Sequence, residues 1–225
     1  MPFPIIIILA IGLFGIAGAA AAICWDDILI ALKGKRLAVL GARGVGKTHL
    51  IKFLSSGSIP AEYKQTVAPE KASSRRFELK ELNLKVKDTL DISGAKDAYA
   101  EWKKLHDNAD VVFYLLRADR LIAGDREVEV RARDDLKHIS DWLKARAPRP
   151  DFFIIGTHCD FDLEFAKLSD NKIGDYVDKF RKLSIMTELV ARGGGTQQTK
   201  VVLGSMKTLQ GTEALVYQIF MQVKH

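Results

Sequence analysis

The pattern of hydrophobic and polar positions divides the chain into two unequal parts. Pro4 to Cys24, PIIIILAIGLFGIAGAAAAIC, carries no charged residue. At about 1.5 Å of rise per helical residue, such a run reaches the roughly 30 Å of a bilayer's hydrocarbon core, so the pattern predicts a single transmembrane helix over 1–25 with a connector over 26–35. A cleaved signal peptide is the rival reading, because Ala19 to Ala22 could form a small-residue cleavage site. Against it, no Lys or Arg precedes the run, which is also long for such a peptide.

From Arg36 onward the rhythm changes to short apolar runs separated by longer amphipathic ones, which predicts one domain over 36–225. RLAVL (Arg36 to Leu40), VVFYLL (Val111 to Leu116), FFII (Phe152 to Ile155) and KVVL (Lys200 to Leu203) show little or no alternation, as expected of strands covered on both faces. RRFELKEL from Arg75 and LKVKDTL from Leu84 do alternate, and Asn83 between them suggests a hairpin. Helical spacing is expected from the loop after Leu40 to about Leu54, over Asp125 to Arg146 and Tyr176 to Arg192, and from Thr208 to Val223. The fold class predicted is α/β: a mostly parallel six-stranded sheet with one antiparallel edge strand and flanking helices, preceded by the transmembrane helix.

Charge adds an orientation. The net charge is +6, and Lys33, Lys35 and Arg36 follow the apolar run closely while no basic residue precedes it, so the domain is expected on the cytosolic side of a single-pass membrane protein. No aromatic residues are interleaved with the basic ones, and no nucleic-acid partner is expected. Cys24 and Cys159 lie in segments too different to suggest a disulfide, which fits a reducing compartment.

Candidate chemistry begins at Gly41-Ala42-Arg43-Gly44-Val45-Gly46-Lys47-Thr48. The G-x-x-x-x-G-K-[ST] spacing after an apolar strand lets backbone N–H groups converge on phosphates, with Lys47 reaching the β- and γ-phosphates and Thr48 ligating Mg²⁺. Four weaker signals follow in chain order. They are Thr66 in YKQTVAPE, Asp91-Ile92-Ser93-Gly94 at the end of the hairpin, Thr157-His158-Cys159-Asp160 after FFIIG, and Gly204-Ser205-Met206-Lys207 after the last strand. Each is an ordinary turn or loop sequence when taken alone.

Together, in this order on these strand ends, they resemble the small GTPases of the Ras superfamily over about Arg36 to His225, which implies that the predicted α/β fold is of the P-loop NTPase kind. The Arf-like branch is the nearest, through Trp102 in EWKKLHDNADVVFYLLRADR. With a single amino-terminal span, the architecture is similar to that of the β subunit of the signal-recognition-particle receptor.

The resemblance implies a GTP/GDP site using Mg²⁺, with nucleotide contacts from Gly41 to Thr48, Thr66, Gly94, Thr157, His158, Asp160, Ser205, Met206 and Lys207. The metal would be held by Thr48, Thr66 and, through water, Asp91. Asp160 would accept hydrogen bonds from guanine N1 and the 2-amino group, a donor pair that adenine lacks. Two positions depart from the pattern besides Arg43. His158 stands where the family has lysine, and Ala95 stands where a glutamine orients the attacking water, which implies slow intrinsic hydrolysis.

Arg43 either stabilises transferred charge in cis, a catalytic role alongside Lys47, or points outward and crowds a partner's inserted residue. Two functions stay open: a membrane-anchored GTP/GDP switch that recruits an unknown protein effector or receptor, and a non-cycling, nucleotide-loaded structural subunit. An ATP-using phosphotransferase is the distant third.

Overall fold

A computed structural model describes residues 7–9, 35–56, 95–168 and 172–223. Its centre is a parallel sheet of five strands among the described residues: β1 (Ile7–Leu9), β2 (Leu37–Gly41), β3 (Val111–Arg117), β4 (Asp151–Thr157) and β5 (Thr199–Leu203). Their spatial order is β1-β5-β4-β3-β2. The helices are α1 (Lys47–Ser56), α2 (Ala95–Asp107), α3 (Ala118–Ile122), α4 (Arg126–Ala145), α5 (Leu163–Ala166), α6 (Ile173–Arg181), α7 (Ser184–Arg192) and α8 (Leu209–Phe220).

The unalternating runs form strands because both faces of the sheet are covered. Val112, Tyr114 and Leu116 of β3, with Phe152 and Ile154 of β4, enter one core with Leu136, Ile139, Phe180 and Leu189 from α4, α6 and α7. Their neighbours Val111, Phe113, Leu115, Phe153 and Ile155 enter the other, with Leu50, Phe53, Leu215 and Ile219 from α1 and α8. The product is an α/β P-loop fold with a parallel sheet between two helical layers. Phe113 and Phe153 meet edge to face at 5.4 Å, and each such fully buried ring contributes roughly 1.5–3 kcal/mol.

The register is fixed at the lower end of the sheet. The Arg36 N–H donates to the Asp110 carboxylate at 2.8 Å, and the Asp110 N–H donates back to the Arg36 carbonyl at 2.7 Å. The Asp151 N–H donates to the Asp110 carbonyl at 3.0 Å where β4 starts beside β3, Arg117 at the far end of β3 pairs with Thr157 of β4, and the carboxyl ends of β2, β3, β4 and β5 reach the same edge.

Two expectations are corrected. Within the apolar run predicted to be a transmembrane helix, Ile7–Leu9 is a strand, in parallel register with Val201–Leu203. A β-branched run suits an extended backbone, and the pairing satisfies the otherwise open edge of β5. Among the described residues no helix is long and apolar enough to cross a membrane. The helix expected over 176–192 is two helices, α6 and α7, because Leu183 is extended at φ −60°, ψ 123°. The expected six-strand count did not include β1. The hairpin over 75–90 with its antiparallel edge, and the rest of the apolar run, lie outside the described residues.

Candidate functional site

The loop between β2 and α1 is shaped by its glycines. Gly41 and Gly46 have φ of 139° and 90°, a region closed to most side chains. A Cβ at Gly41 would stand 2.4 Å from the Leu115 carbonyl oxygen, and one at Gly46 would stand 2.4 Å from the Met206 methyl group. The loop is therefore pressed between β3 and the segment after β5. Lys47 folds back over it, Nζ donating to the carbonyls of Gly41 at 2.8 Å and Ala42 at 2.6 Å. That holds an ammonium at the mouth of the loop, where α1 begins and backbone donors concentrate. Thr48, exposed in the first turn of α1, can offer its hydroxyl to a cation.

Thr157 ends β4 fully buried. Its hydroxyl lies 3.0 Å from the Val45 carbonyl in the loop, 3.1 Å from the Leu116 carbonyl and 2.8 Å from His158 Nδ1. One proton serves the two carbonyls, and the oxygen can accept from Nδ1 when that nitrogen is protonated. This side chain thus ties the phosphate loop to β3 and β4.

His158 follows with φ 62°, the sole non-glycine residue at positive φ among the described residues. The left-handed turn starts a short 3-10 turn at Cys159–Phe161 and brings Asp160 beneath the segment after β5. There Ser205 Oγ donates to Asp160 Oδ1 at 2.6 Å and accepts from the Lys207 N–H at 3.1 Å. The Cys159 N–H donates to the Gly204 carbonyl at 3.3 Å, and the Gly204 N–H to the Gly156 carbonyl at 2.9 Å. Asp160 is oriented by Ser205 through one oxygen, and a half-buried carboxylate has lone pairs left to accept further donors.

The electrostatics follow from burial. Desolvation, followed by the charge of Arg117, holds the His158 imidazole below its ordinary value, so it is neutral near pH 7. Burial pushes the Cys159 thiol up to about 12, which makes it a packing group and not a nucleophile.

Ala42 to Val45 of the loop also line a cavity of about 390 Å³ against β3 and α4, with Arg117, Arg120, Glu127 and Arg131 around it. Arg43, exposed, stands on its rim. Deeper along α4, the Asp135 carboxylate is fully buried and accepts from Tyr99 at 2.9 Å, Tyr114 at 3.0 Å and Arg131 at 2.8 Å. Burial outweighs these three donors and raises its pKa.

The structure brings together Gly41, Ala42, Arg43, Gly44, Val45, Gly46, Lys47, Thr48, Thr157, His158, Asp160, Ser205 and Met206, with Lys207 joining through its backbone. Thr66, Asp91 and Gly94 lie outside the described residues. Helix α2 begins at Ala95, the position of the missing glutamine. Among the described residues no group of three or more His, Cys, Asp or Glu is placed to hold a metal.

Sequence reasoning missed Arg117, Asp119 and Phe161, which crowd the same edge. The signal was a charged residue directly closing a buried strand, in VVFYLLRAD.

No protein-family model matches the chain, and no curated protein sequence matches it. Among solved structures, it is similar to an ADP ribosylation factor-like GTP-binding protein, the small COPII coat GTPase SAR1 of Encephalitozoon cuniculi in complex with GDP. The TM-score is 0.46 at 13% identity, over 92% of this chain and 90% of that one. It is also similar to a GTP-binding protein of Sulfolobus solfataricus in complex with GDP, with TM-score 0.44 at 14% identity over 88% of this chain and 55% of that one. A third is the Arl6 BBS3 small GTPase of Trypanosoma brucei with bound GppNp, with TM-score 0.40 at 13% identity over 84% of this chain and 99% of that one. Identities this low leave the chemistry of this chain to be read from its own residues.

Proposed function

We propose that the chain is a guanine-nucleotide-binding protein of the Arf-like small GTPase type, a GTP/GDP switch that recruits a protein partner. One observation carries the reading. The Thr157 to Val45 and Ser205 to Asp160 hydrogen bonds gather a phosphate loop and an oriented carboxylate at one edge of the sheet. A carboxylate with acceptors to spare beside a phosphate cradle selects a base that presents two adjacent donors, which guanine has and adenine lacks. In this reading Gly41 to Thr48 hold the phosphates, with Lys47 the principal cation. His158, Asp160, Ser205, Met206 and Lys207 hold the base end, and Thr157 ties that end to the phosphate loop.

Mg²⁺ fits the exposed Thr48 hydroxyl, since this ion keeps several waters and takes few protein ligands when phosphates supply the others. It would supply charge neutralisation at the phosphates. Thr66, Asp91 and Gly94 would complete the site from the segments after α1, responding to the γ-phosphate and so creating the partner surface. Hydrolysis would be slow, because an alanine at position 95 cannot orient water. Ala95 also favours the second reading, a nucleotide-loaded subunit that does not cycle.

We place the protein at a membrane with its domain facing the cytosol, supported by the uncharged run Pro4 to Cys24 and the basic residues that follow. With β1 seated in the sheet, only fifteen apolar residues remain from 10 to 24. As a helix they would reach roughly 22 Å, short of a full span. Spanning and β1 pairing are therefore alternatives for this segment, and resistance of the full chain to alkaline extraction from membranes distinguishes them.

The function itself is tested by identifying the nucleotide retained on purified protein and comparing GDP with ADP binding. Retained guanine nucleotide and preference for GDP are expected. Equal affinity for ADP overturns the reading. Single-turnover GTP hydrolysis of wild type and Arg43→Ala decides the role of Arg43: an unchanged rate removes it from catalysis.

A further inference from the structure

At the position where the family pattern has lysine, this chain carries an imidazole that is neutral near pH 7, so the Thr157-His158-Cys159-Asp160 segment brings no cation of its own to the site. A cation stands one strand away. Arg117 closes β3 in register with Thr157, and it lines the cavity beside Gly44 and Val45 of the phosphate loop. Its charge also acts on both Asp160 and His158. It therefore lies between the phosphate cradle and the base carboxylate.

The side chain is held in place from two directions. Nε donates to Asp119 Oδ1 at 2.7 Å and Nη2 to Asp119 Oδ2 at 2.5 Å, a bidentate pair that leaves three of the five guanidinium N–H groups for other acceptors. Its Cζ lies 5.3 Å from the centre of the Phe161 ring, within cation–π range. Phe161 directly follows Asp160 and is 66% exposed, so its ring face is open to a ligand at this edge. Its ring centre is 5.9 Å from that of His158, so guanidinium, phenyl and imidazole form one contiguous platform at the base end.

We propose that Arg117, clamped by Asp119 and stacked on Phe161, is the nucleotide-positioning cation of this site, taking over from the neighbouring strand the charge that position 158 lacks. This rests on the guanine-nucleotide reading above. A cation in a half-buried place acts on a polyanionic nucleotide with little screening, and a charge-assisted contact there slows dissociation by about tenfold or more. The charged groups facing His158 are Arg117 from β3, Asp119 from α3, Asp160 from its own turn and His49 from α1.

The test is stopped-flow release of a fluorescent GDP from the full chain carrying Arg117→Gln, Arg117→Lys, Asp119→Asn or Phe161→Ala. Arg117→Gln is expected to speed release about tenfold, with Arg117→Lys restoring most of the loss and Asp119→Asn costing less than Arg117→Gln. Phe161→Ala, at an exposed side chain that folding does not need, should speed release several-fold and add little on top of Arg117→Gln.

A purely structural ion pair makes the opposite pattern. Lysine cannot form the bidentate fork, so Arg117→Lys would be as damaging as Arg117→Gln, and Asp119→Asn would match both. That pattern overturns the proposal, as does release within twofold of wild type in Arg117→Gln or in Phe161→Ala. A wild type that binds ADP as well as GDP removes the underlying reading instead, so the two failures are distinct.

Discussion

Thr157→Val removes one oxygen and keeps the shape of the side chain. Thr157 is fully buried, and its hydroxyl stands within 3.1 Å of the Val45 and Leu116 carbonyls and 2.8 Å from His158 Nδ1. Valine fills the volume but neither donates nor accepts, so the Val45 carbonyl loses its link to β4. Leaving a buried partner unpaired costs ~1–3 kcal/mol. The cost falls on the folded state, and it also falls on the bound state, because the Val45 carbonyl belongs to the phosphate loop. Urea unfolding should report a stability loss in that range with an unchanged denaturant slope. Calorimetric titration should show GDP and ADP binding weakened by a similar factor, about tenfold for each 1.4 kcal/mol transmitted to the loop. Base selectivity should be preserved, since Ser205 and Asp160 are untouched. Stability and affinity both unchanged would refute the inference that this hydroxyl joins loop and sheet. A collapse of GDP binding with ADP binding intact would refute the division of labour between Thr157 and Asp160.

Two further outcomes follow from single positions. Gly46→Ala places a Cβ 2.4 Å from the Met206 methyl at φ 90°; the methyl can move, so the residual strain is ~1–3 kcal/mol, seen as a lower melting temperature together with loss of nucleotide binding. His106 is fully buried and held below its ordinary pKa mainly by desolvation. The unfolded chain therefore takes up a proton that the folded one resists, and stability is lost as pH falls below about 6.5. Urea midpoints measured from pH 7 to pH 5 should fall, and His106→Phe should flatten part of that decline. A profile identical to wild type would place the acid sensitivity in other groups.

Much of the fold was legible because a parallel sheet covered on both faces writes itself as unalternating runs. VVFYLL and FFII marked β3 and β4 nearly to their ends. Helix α2 was passed over, although Tyr99, Trp102 and His106 lie at helical spacing, because Glu101, Lys103 and Lys104 break up the apolar positions around them. Strand β1 was hidden by the length of its own apolar run, in which hydrophobicity cannot separate a buried edge strand from a membrane segment. In the site, chain order located the loop, Thr157, Asp160 and Ser205, since each motif sits at a strand end. Arg117 and Phe161 were not legible, because their meeting depends on strand register and on the left-handed turn at His158, neither of which has a fixed sequence spacing.

The central claim is that Asp160, oriented by Ser205, makes this a guanine site. Asp160→Asn tests it with three ligands: GDP, ADP and xanthosine diphosphate. Asparagine keeps the acceptor that Ser205 meets but replaces one free acceptor with an N–H donor, which opposes the guanine 2-amino group and suits the 2-carbonyl of xanthine. Two hydrogen bonds to a charged group are worth ~3 kcal/mol or more together. The variant should therefore bind GDP about 100-fold or more weakly than wild type, bind xanthosine diphosphate better than wild type does, and leave ADP unchanged. GDP affinity that survives Asp160→Asn, with no gain for xanthosine diphosphate, would contradict the account.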